Sequence, residues 1–65
     1  MKIGEQVRKY RKLKHLTLGE LGEKINLAPS TLSGAENGKT QLSVKSLVRV
    51  ADALGVDLHY LFKRD

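Results

Sequence analysis

Few side chains in this sequence are suited to covalent or metal chemistry. The 65 residues include no cysteine, which excludes a disulfide framework, a thiolate zinc site and a thiol nucleophile. The two histidines, His15 and His59, are far apart in the sequence, so no metal site is expected. The glycines lack the spacing of a phosphate-binding or dinucleotide-binding loop. These residues predict neither an enzyme nor a protein that needs a cofactor.

The basic side chains are the groups best suited to bind a ligand, and that ligand would be an anion. The chain carries 12 Lys and Arg against 7 Asp and Glu, a formal net charge of +5. Residues 1–14 hold the whole excess, as Lys2, Arg8, Lys9, Arg11, Lys12 and Lys14 against Glu5. Such a segment favours nucleic acid or an anionic membrane surface as partner. The alternative is a solvated basic helix that only aids solubility.

A membrane partner is the weaker of these interpretations. No apolar run in the sequence is long enough to span a bilayer. The first five residues lack the apolar stretch of a secretory signal. The apolar positions of the basic segment recur with helical period and are needed for a core. We therefore expect no membrane partner and a cytoplasmic location.

Regularly spaced cap signals divide the chain into short helices. The first is predicted over about residues 3–14, with His15 at a left-handed C-cap. Thr17 and Glu20 have the spacing of a capping box, which predicts a second helix that ends near Asn26. The residues that follow the second helix predict three more helices.

The third helix begins at Pro29, whose missing N–H would be unpaired in a first turn anyway, and ends at 36–38. Ser43 caps a fourth helix that Gly55 ends, and Asp57 caps a short fifth helix. No segment alternates with period two, so we predict an all-α fold, five helices in one domain over residues 1–65. The predicted core is Val7, Tyr10, Leu16, Leu21, Ile25, Leu27, Leu32, Leu47, Val50, Ala51, Leu54, Val56 and Leu61.

The second and third helices are separated by only three or so residues, which is the spacing of a helix-turn-helix. Such a motif needs a small residue in its first helix, a turn that tolerates positive φ, and apolar anchors on both helices. These requirements are met by Gly22, Asn26, Leu27, Leu32 and Ala35. An ordinary helical hairpin in a small bundle would use the same anchors, so spacing alone leaves both possibilities open.

Five segments, in order along the chain, resemble the Cro/C1-type (XRE-like) helix-turn-helix family, and are similar to lambdoid phage repressors. They are residues 3–11, residues 16–25, residues 30–33, residues 36–39, and the set Leu47, Ala51, 54–56 and 61–62. The resemblance implies a compact five-helix, lambda-repressor-like fold with its motif at about 17–37. It implies a repressor-like transcriptional regulator that binds double-stranded DNA sequence-specifically, with a recognition helix at about 29–37 in the major groove.

The resemblance also implies roles for individual residues. Arg11 and Glu36 would form a structural ion pair between the first helix and the recognition helix. Phosphate contacts would fall on Thr17, Leu18, Asn37, Lys39, Thr40 and Gln41. Base contacts would fall on Pro29, Ser30, Thr31, Ser33 and Gly34.

The recognition helix departs from the family pattern. Relatives often carry long polar side chains where this sequence has Pro29 and Gly34, and Ala28 is a poor N-cap. The helix could read bases through its hydroxyls, or leave discrimination to DNA shape. It could also have lost strong specificity, in which case the domain would be a protein–protein interaction or antitoxin-like module with weak, non-specific DNA binding.

Relatives bind two-fold operators as dimers, so the resemblance implies a homodimer. Leu58 and Phe62 are the candidate dimer contacts, because little chain follows to cover them. The alternative is that Phe62 folds back onto Val7 as part of the core. No small-molecule ligand is implied, and the cytoplasm would be that of a bacterium or of a cell infected by its phage.

Overall fold

A computed structural model describes residues 3–62 as a bundle of short helices. The α-helices are α1 (Ile3–Leu13), α2 (Leu18–Ile25), α3 (Pro29–Glu36) and α4 (Val44–Leu54), followed by a 3₁₀ helix at Leu58–Phe62. Residues 3–62 contain no strand, so the all-α prediction is confirmed for them.

The prediction of five α-helices is wrong, because the fifth element is a 3₁₀ helix. Its N–H of Tyr60 donates to the carbonyl of Asp57 at 3.0 Å, the three-residue spacing of a 3₁₀ turn. Five residues give few of the four-residue hydrogen bonds that define an α-helix. The first helix is also one residue shorter than predicted and ends at Leu13.

The caps predicted for α2 and α4 form, whereas the side chain of Asp57 makes no capping hydrogen bond within residues 3–62. Thr17 Oγ1 accepts from the N–H of Glu20 at 3.0 Å, and the Glu20 carboxylate accepts from the N–H of Thr17 at 2.8 Å. Ser43 accepts from the N–H of Ser46 at 3.1 Å. Asn26 adopts a left-handed conformation with φ of 60° after α2. Ala28 makes no side-chain hydrogen bond at the start of α3, as its type predicts.

The core lies where the helices meet. Its fully buried members are Val7, Leu21, Leu32, Val50, Leu54 and Leu61. Four residues of the predicted core are only half-buried, namely Tyr10, Leu16, Leu27 and Val56. Lys14 shares the apolar face of α1 in the sequence but lies past its last residue and is exposed.

A close approach between α2 and α3 explains Gly22. A Cβ built on Gly22 would lie under 3.0 Å from the carbonyl oxygen of Leu27 and 3.6 Å from Leu32 Cδ1. Because real Cβ atoms do not come that close to a backbone oxygen, a larger residue would push the turn away from α2. Glycine therefore keeps the two helices of the motif at their short spacing.

Replacing His15 with glycine should stabilise the fold by about 0.5–1 kcal/mol. His15 ends α1 with φ of 58°, a region that costs most side chains free energy and costs glycine almost none. Its side chain is exposed, so the substitution removes no core contact. Urea unfolding of the two proteins measures the difference, with Lys12→Gly inside α1 as a control that should destabilise. A loss of stability in His15→Gly would contradict the strain argument.

Candidate nucleic-acid interface

The exposed face of α3 is lined by small polar groups. Leu32 and Ala35 are buried on the opposite side and anchor the helix to the core. Ser30 and Ser33 lie three residues apart on the outer face, and Asn37 continues that face one turn later. Asn37 Nδ2 lies 3.5 Å from Ser33 Oγ, so an amide and a hydroxyl adjoin at the end of the helix. This face offers hydrogen-bond donors and acceptors without long side chains.

The other candidate base contacts lie at the margins of that face. Pro29 is exposed at the start of α3, and Thr31 is half-buried to one side. Gly34 is half-buried. A Cβ built on Gly34 would lie 2.7 Å from Thr40 Oγ1. The side chain of Thr40 therefore occupies the space that a larger residue would need at position 34.

The loop after α3 folds back over this helix. The carbonyl of Gly34 accepts from the N–H groups of Lys39 at 2.8 Å and Thr40 at 3.2 Å. Gly38 permits the reversal with φ of 79°. The side chains from Asn37 to Gln41 are all exposed. The loop thus presents an amine, two amides and a hydroxyl beside the outer face of α3.

The N-terminus of α2 provides backbone donors. The capping box occupies the N–H groups of Thr17 and Glu20. The N–H groups of Leu18 and Gly19 have no acceptor within residues 3–62. Free N–H groups at a helix N-terminus attract an anion such as a phosphate. A phosphate here would bind Leu18 and Gly19, and the Thr17 N–H would be shielded by the Glu20 carboxylate.

An ion pair joins α1 to the end of α3. Arg11 Nε donates to Glu36 Oε2 at 2.7 Å, and its Nη2 donates to Oε1 at 3.1 Å. Arg11 Nη1 donates to the carbonyl of Leu16 at 2.8 Å. The hydrogen bond to Glu36 raises the pKa of Arg11, against the opposing effect of burial. Both residues are buried, so Arg11 acts as a brace within the fold rather than as a group that faces a ligand.

Two features of this junction were not found from the sequence. A Cβ on Gly4 would lie under 3.0 Å from the carbonyl oxygens of Ala35 and Glu36, so α1 packs with its backbone against the end of α3. Arg8 Nε lies 3.8 Å from Glu36 Oε1, and the Arg8 side chain is 52% exposed. The four-residue spacing of Gly4 and Arg8, and the three residues from Arg8 to Arg11, placed them on one face, but nothing in the sequence showed which element that face meets.

The rest of the basic segment points elsewhere. Lys9 Nζ lies 5.5 Å from the centroid of the Tyr10 ring, on the side of α1 that faces the 3₁₀ helix. Lys12 and Lys14 are exposed, and Lys2 lies outside the described residues. The charge excess of the first segment is therefore not gathered at one site.

The candidate dimer contacts are packed against the core. Leu58 and Phe62 are half-buried there. The large apolar side chains with the greatest exposure are instead Leu13, Val44, Val48 and Tyr60. The part of Phe62 available to a second copy is correspondingly small.

No helix within residues 3–62 has the length and apolar composition needed to cross a bilayer.

Comparison with known proteins identifies the family. A family model described as Helix-turn-helix matches residues 7–61. The chain belongs to the Cro/C1-type helix-turn-helix family. The matched range of this Cro/C1-type chain includes α2 and α3, the ion pair of Arg11 with Glu36, the loop after α3, and α4.

Three similar proteins illustrate the relationship. The HTH-type transcriptional regulator SinR of Bacillus subtilis (strain 168) is 42% identical over 60 residues, 91% of this chain and 54% of SinR. The immunity repressor protein of Bacillus phage phi105 is 36% identical over 58 residues, 89% of this chain and 40% of that repressor. The crystal structure of SinR, the master regulator for biofilm formation, in complex with DNA has a TM-score of 0.85 at 40% identity, over 94% of this chain and 98% of that chain. The chain therefore spans about half the length of SinR and less than half the length of the phage repressor.

Proposed function

We propose that this chain is the DNA-binding domain of a repressor-like transcriptional regulator, with α3 in the major groove of double-stranded DNA. The observation that carries the proposal is the outer face of α3, where Ser30 is exposed, Ser33 is half-buried, and neither belongs to the core. The SinR structure that this chain resembles is a complex with DNA, which supports the same mode of binding. We propose that residues 1–65 act as one domain, with the motif at about 17–37, in the cytoplasm of a bacterium or phage-infected cell.

Base reading in this proposal relies on short groups. The hydroxyls of Ser30 and Ser33 both donate and accept hydrogen bonds, so they can contact either kind of base edge. Pro29 and the methyl group of Thr31 provide apolar contact for a thymine methyl group. The Thr40 side chain fills the space beside Gly34. At this position we propose that the Gly34 backbone and the Thr40 hydroxyl face the DNA.

Phosphate contacts in this proposal flank α3 on two sides. The free N–H of Leu18 takes a phosphate at the start of α2, with Thr17 as its cap. The exposed side chains of Asn37, Lys39, Thr40 and Gln41 take phosphates of the other strand. These contacts fix the register of α3 but carry no sequence information.

One copy makes few contacts, so we propose that a homodimer binds a two-fold operator with half-sites about one helical turn apart. Leu58 and Phe62 remain the proposed dimer contacts through their exposed parts. Sedimentation of the protein alone and with operator DNA tests this. A complex with one copy per operator would contradict it.

Guanine-methylation interference and hydroxyl-radical footprinting on a bound duplex test the docking mode. We expect methylation at N7, in the major groove, to block binding, and protected backbone positions to repeat on both strands about one helical turn apart. Binding that is insensitive to major-groove methylation would contradict the placement of α3, provided that the bound site contains guanine.

The second candidate function is a protein–protein interaction or antitoxin-like module with weak, non-specific DNA binding. The short side chains on α3 favour it, because they offer none of the bidentate contacts that long polar side chains make. Large substitutions at Ser30 and Ser33 separate the two functions. If they leave DNA binding unchanged, α3 does not read DNA.

A further inference from the structure

The carboxylate of Glu36 has two arginine neighbours, but only one of them forms hydrogen bonds with it. Arg11 contacts both carboxylate oxygens and also the carbonyl of Leu16, and its side chain is only 10% exposed. These three hydrogen bonds use three of the five N–H donors of its guanidinium for contacts within the fold. Arg11 is therefore unavailable to a ligand unless the ion pair breaks.

Arg8 is the second neighbour, and its guanidinium makes only a long ion pair with Glu36. Its Nε lies 3.8 Å from Glu36 Oε1, beyond hydrogen-bond distance, and its side chain is 52% exposed. The Arg8 side chain donates no hydrogen bond to an acceptor within residues 3–62. Glu36 thus attracts Arg8 by charge alone and accepts no hydrogen bond from its guanidinium. Two N–H groups along one edge of a guanidinium can donate to two oxygens of a phosphate.

The position of Arg8 follows from the packing of the preceding turn of α1 against α3. Gly4, one turn earlier on α1, abuts the carbonyls of Ala35 and Glu36. Arg8 therefore stands beside the end of α3, where the loop with Asn37 and Lys39 begins. Glu36 and Glu5 both line the pocket at this corner. Arg11 already neutralises Glu36, so the exposed charge of Arg8 can attract an anion.

We propose that Arg8 is a DNA-phosphate contact, that Glu36 positions it, and that Arg11 serves only as the brace. This rests on the proposed function, and it gives a role to Arg8, to which the family resemblance assigned none. With this contact, the surface that binds phosphates extends from the loop after α3 to α1. It adds affinity without adding sequence preference.

The test compares the salt dependence of binding for Arg8→Gln and for the wild type, on the best selected duplex and on a scrambled one. We expect Arg8→Gln to weaken binding to both duplexes about 10-fold at moderate salt and to reduce the slope of log K against log salt by about 0.9. Urea unfolding should be unchanged, because Arg11 still neutralises Glu36. Arg8→Lys should keep the slope and lose part of the affinity, since lysine retains the charge without the planar donor face.

Lys9→Gln is the matched control, since it removes one charge from the next residue of α1, which lies over Tyr10 and not beside Glu36. Its slope should equal that of the wild type. If Arg8→Gln leaves the slope at the wild-type value, or if Lys9→Gln lowers the slope equally, the proposed Arg8 contact is wrong. Either result leaves the proposed function standing. A wild-type protein that binds neither duplex overturns the proposed function, and the Arg8 contact with it.

Discussion

Replacing Arg11 with methionine should lower the free energy of unfolding by about 3–5 kcal/mol. The substitution keeps much of the side-chain volume but leaves the Glu36 carboxylate, 3% exposed, without its two short hydrogen bonds. Arg8, 3.8 Å away and half exposed, offsets little of that cost. A domain of this length has a total stability of only about 3–10 kcal/mol, so the variant should be largely unfolded at growth temperature.

Urea unfolding followed by far-ultraviolet circular dichroism measures this effect. Lys12→Met, on an exposed position of the same helix, is the control and should change stability by less than about 0.5 kcal/mol. Arg11→Met and Lys12→Met can each be introduced into the His15→Gly variant. Its higher stability leaves more folded protein, so the two free energies of unfolding can still be measured. The double variant Arg11→Met with Glu36→Leu should recover part of the loss, because no unpaired buried charge remains. A loss below about 1 kcal/mol in Arg11→Met would show that the pair does not brace α1 against α3.

Replacing Ser30 with glutamate should weaken specific DNA binding by about 100-fold. Ser30 is exposed on the outer face of α3, where a carboxylate would meet the electron-rich groove and the flanking phosphates. The fold should tolerate the change, because Ser30 lies in the first turn of α3, which has no acidic residue. A negative charge there interacts favourably with the helix dipole. The variant therefore separates binding from folding.

Fluorescence anisotropy with a labelled operator measures the loss. Val48→Glu is the control, because it adds a carboxylate at an exposed position of α4, outside the proposed DNA and dimer contacts. Its affinity should stay within about threefold of the wild type, as expected for a remote charge screened by salt. Equal losses in both variants would mean that net charge, and not the face of α3, determines binding.

Local signals in the sequence predicted most of the fold. The capping box at Thr17 and Glu20, the left-handed cap at Asn26 and the proline at the start of α3 act within a few residues, so their geometry follows from residue type and spacing. The last element was predicted as a helix but not as a 3₁₀ helix. Helical periodicity over five residues does not distinguish the two hydrogen-bond patterns.

The features that the sequence did not predict depend on contacts between distant elements. Thr40 covers Gly34 because the loop folds back after Gly38, and Gly4 meets α3 because α1 crosses its end. Arg8 and Arg11 both lie near the Glu36 carboxylate, but Arg11 is buried and hydrogen-bonded to it, whereas Arg8 is half exposed and 3.8 Å away. The pairing of Arg11 with Glu36 came from family resemblance, since a separation of 25 residues carries no local signal.

Selection of bound duplexes from a random library, followed by titration of the best duplex and a scrambled one at two salt concentrations, tests specific binding through α3 most directly. We predict a two-fold motif bound at least about a thousandfold more tightly than the scrambled duplex. Its half-site spacing would be about one helical turn, as expected for a dimer. Equal binding to both duplexes, with a strong dependence on salt, would contradict the account, because it would mean that only phosphates are contacted.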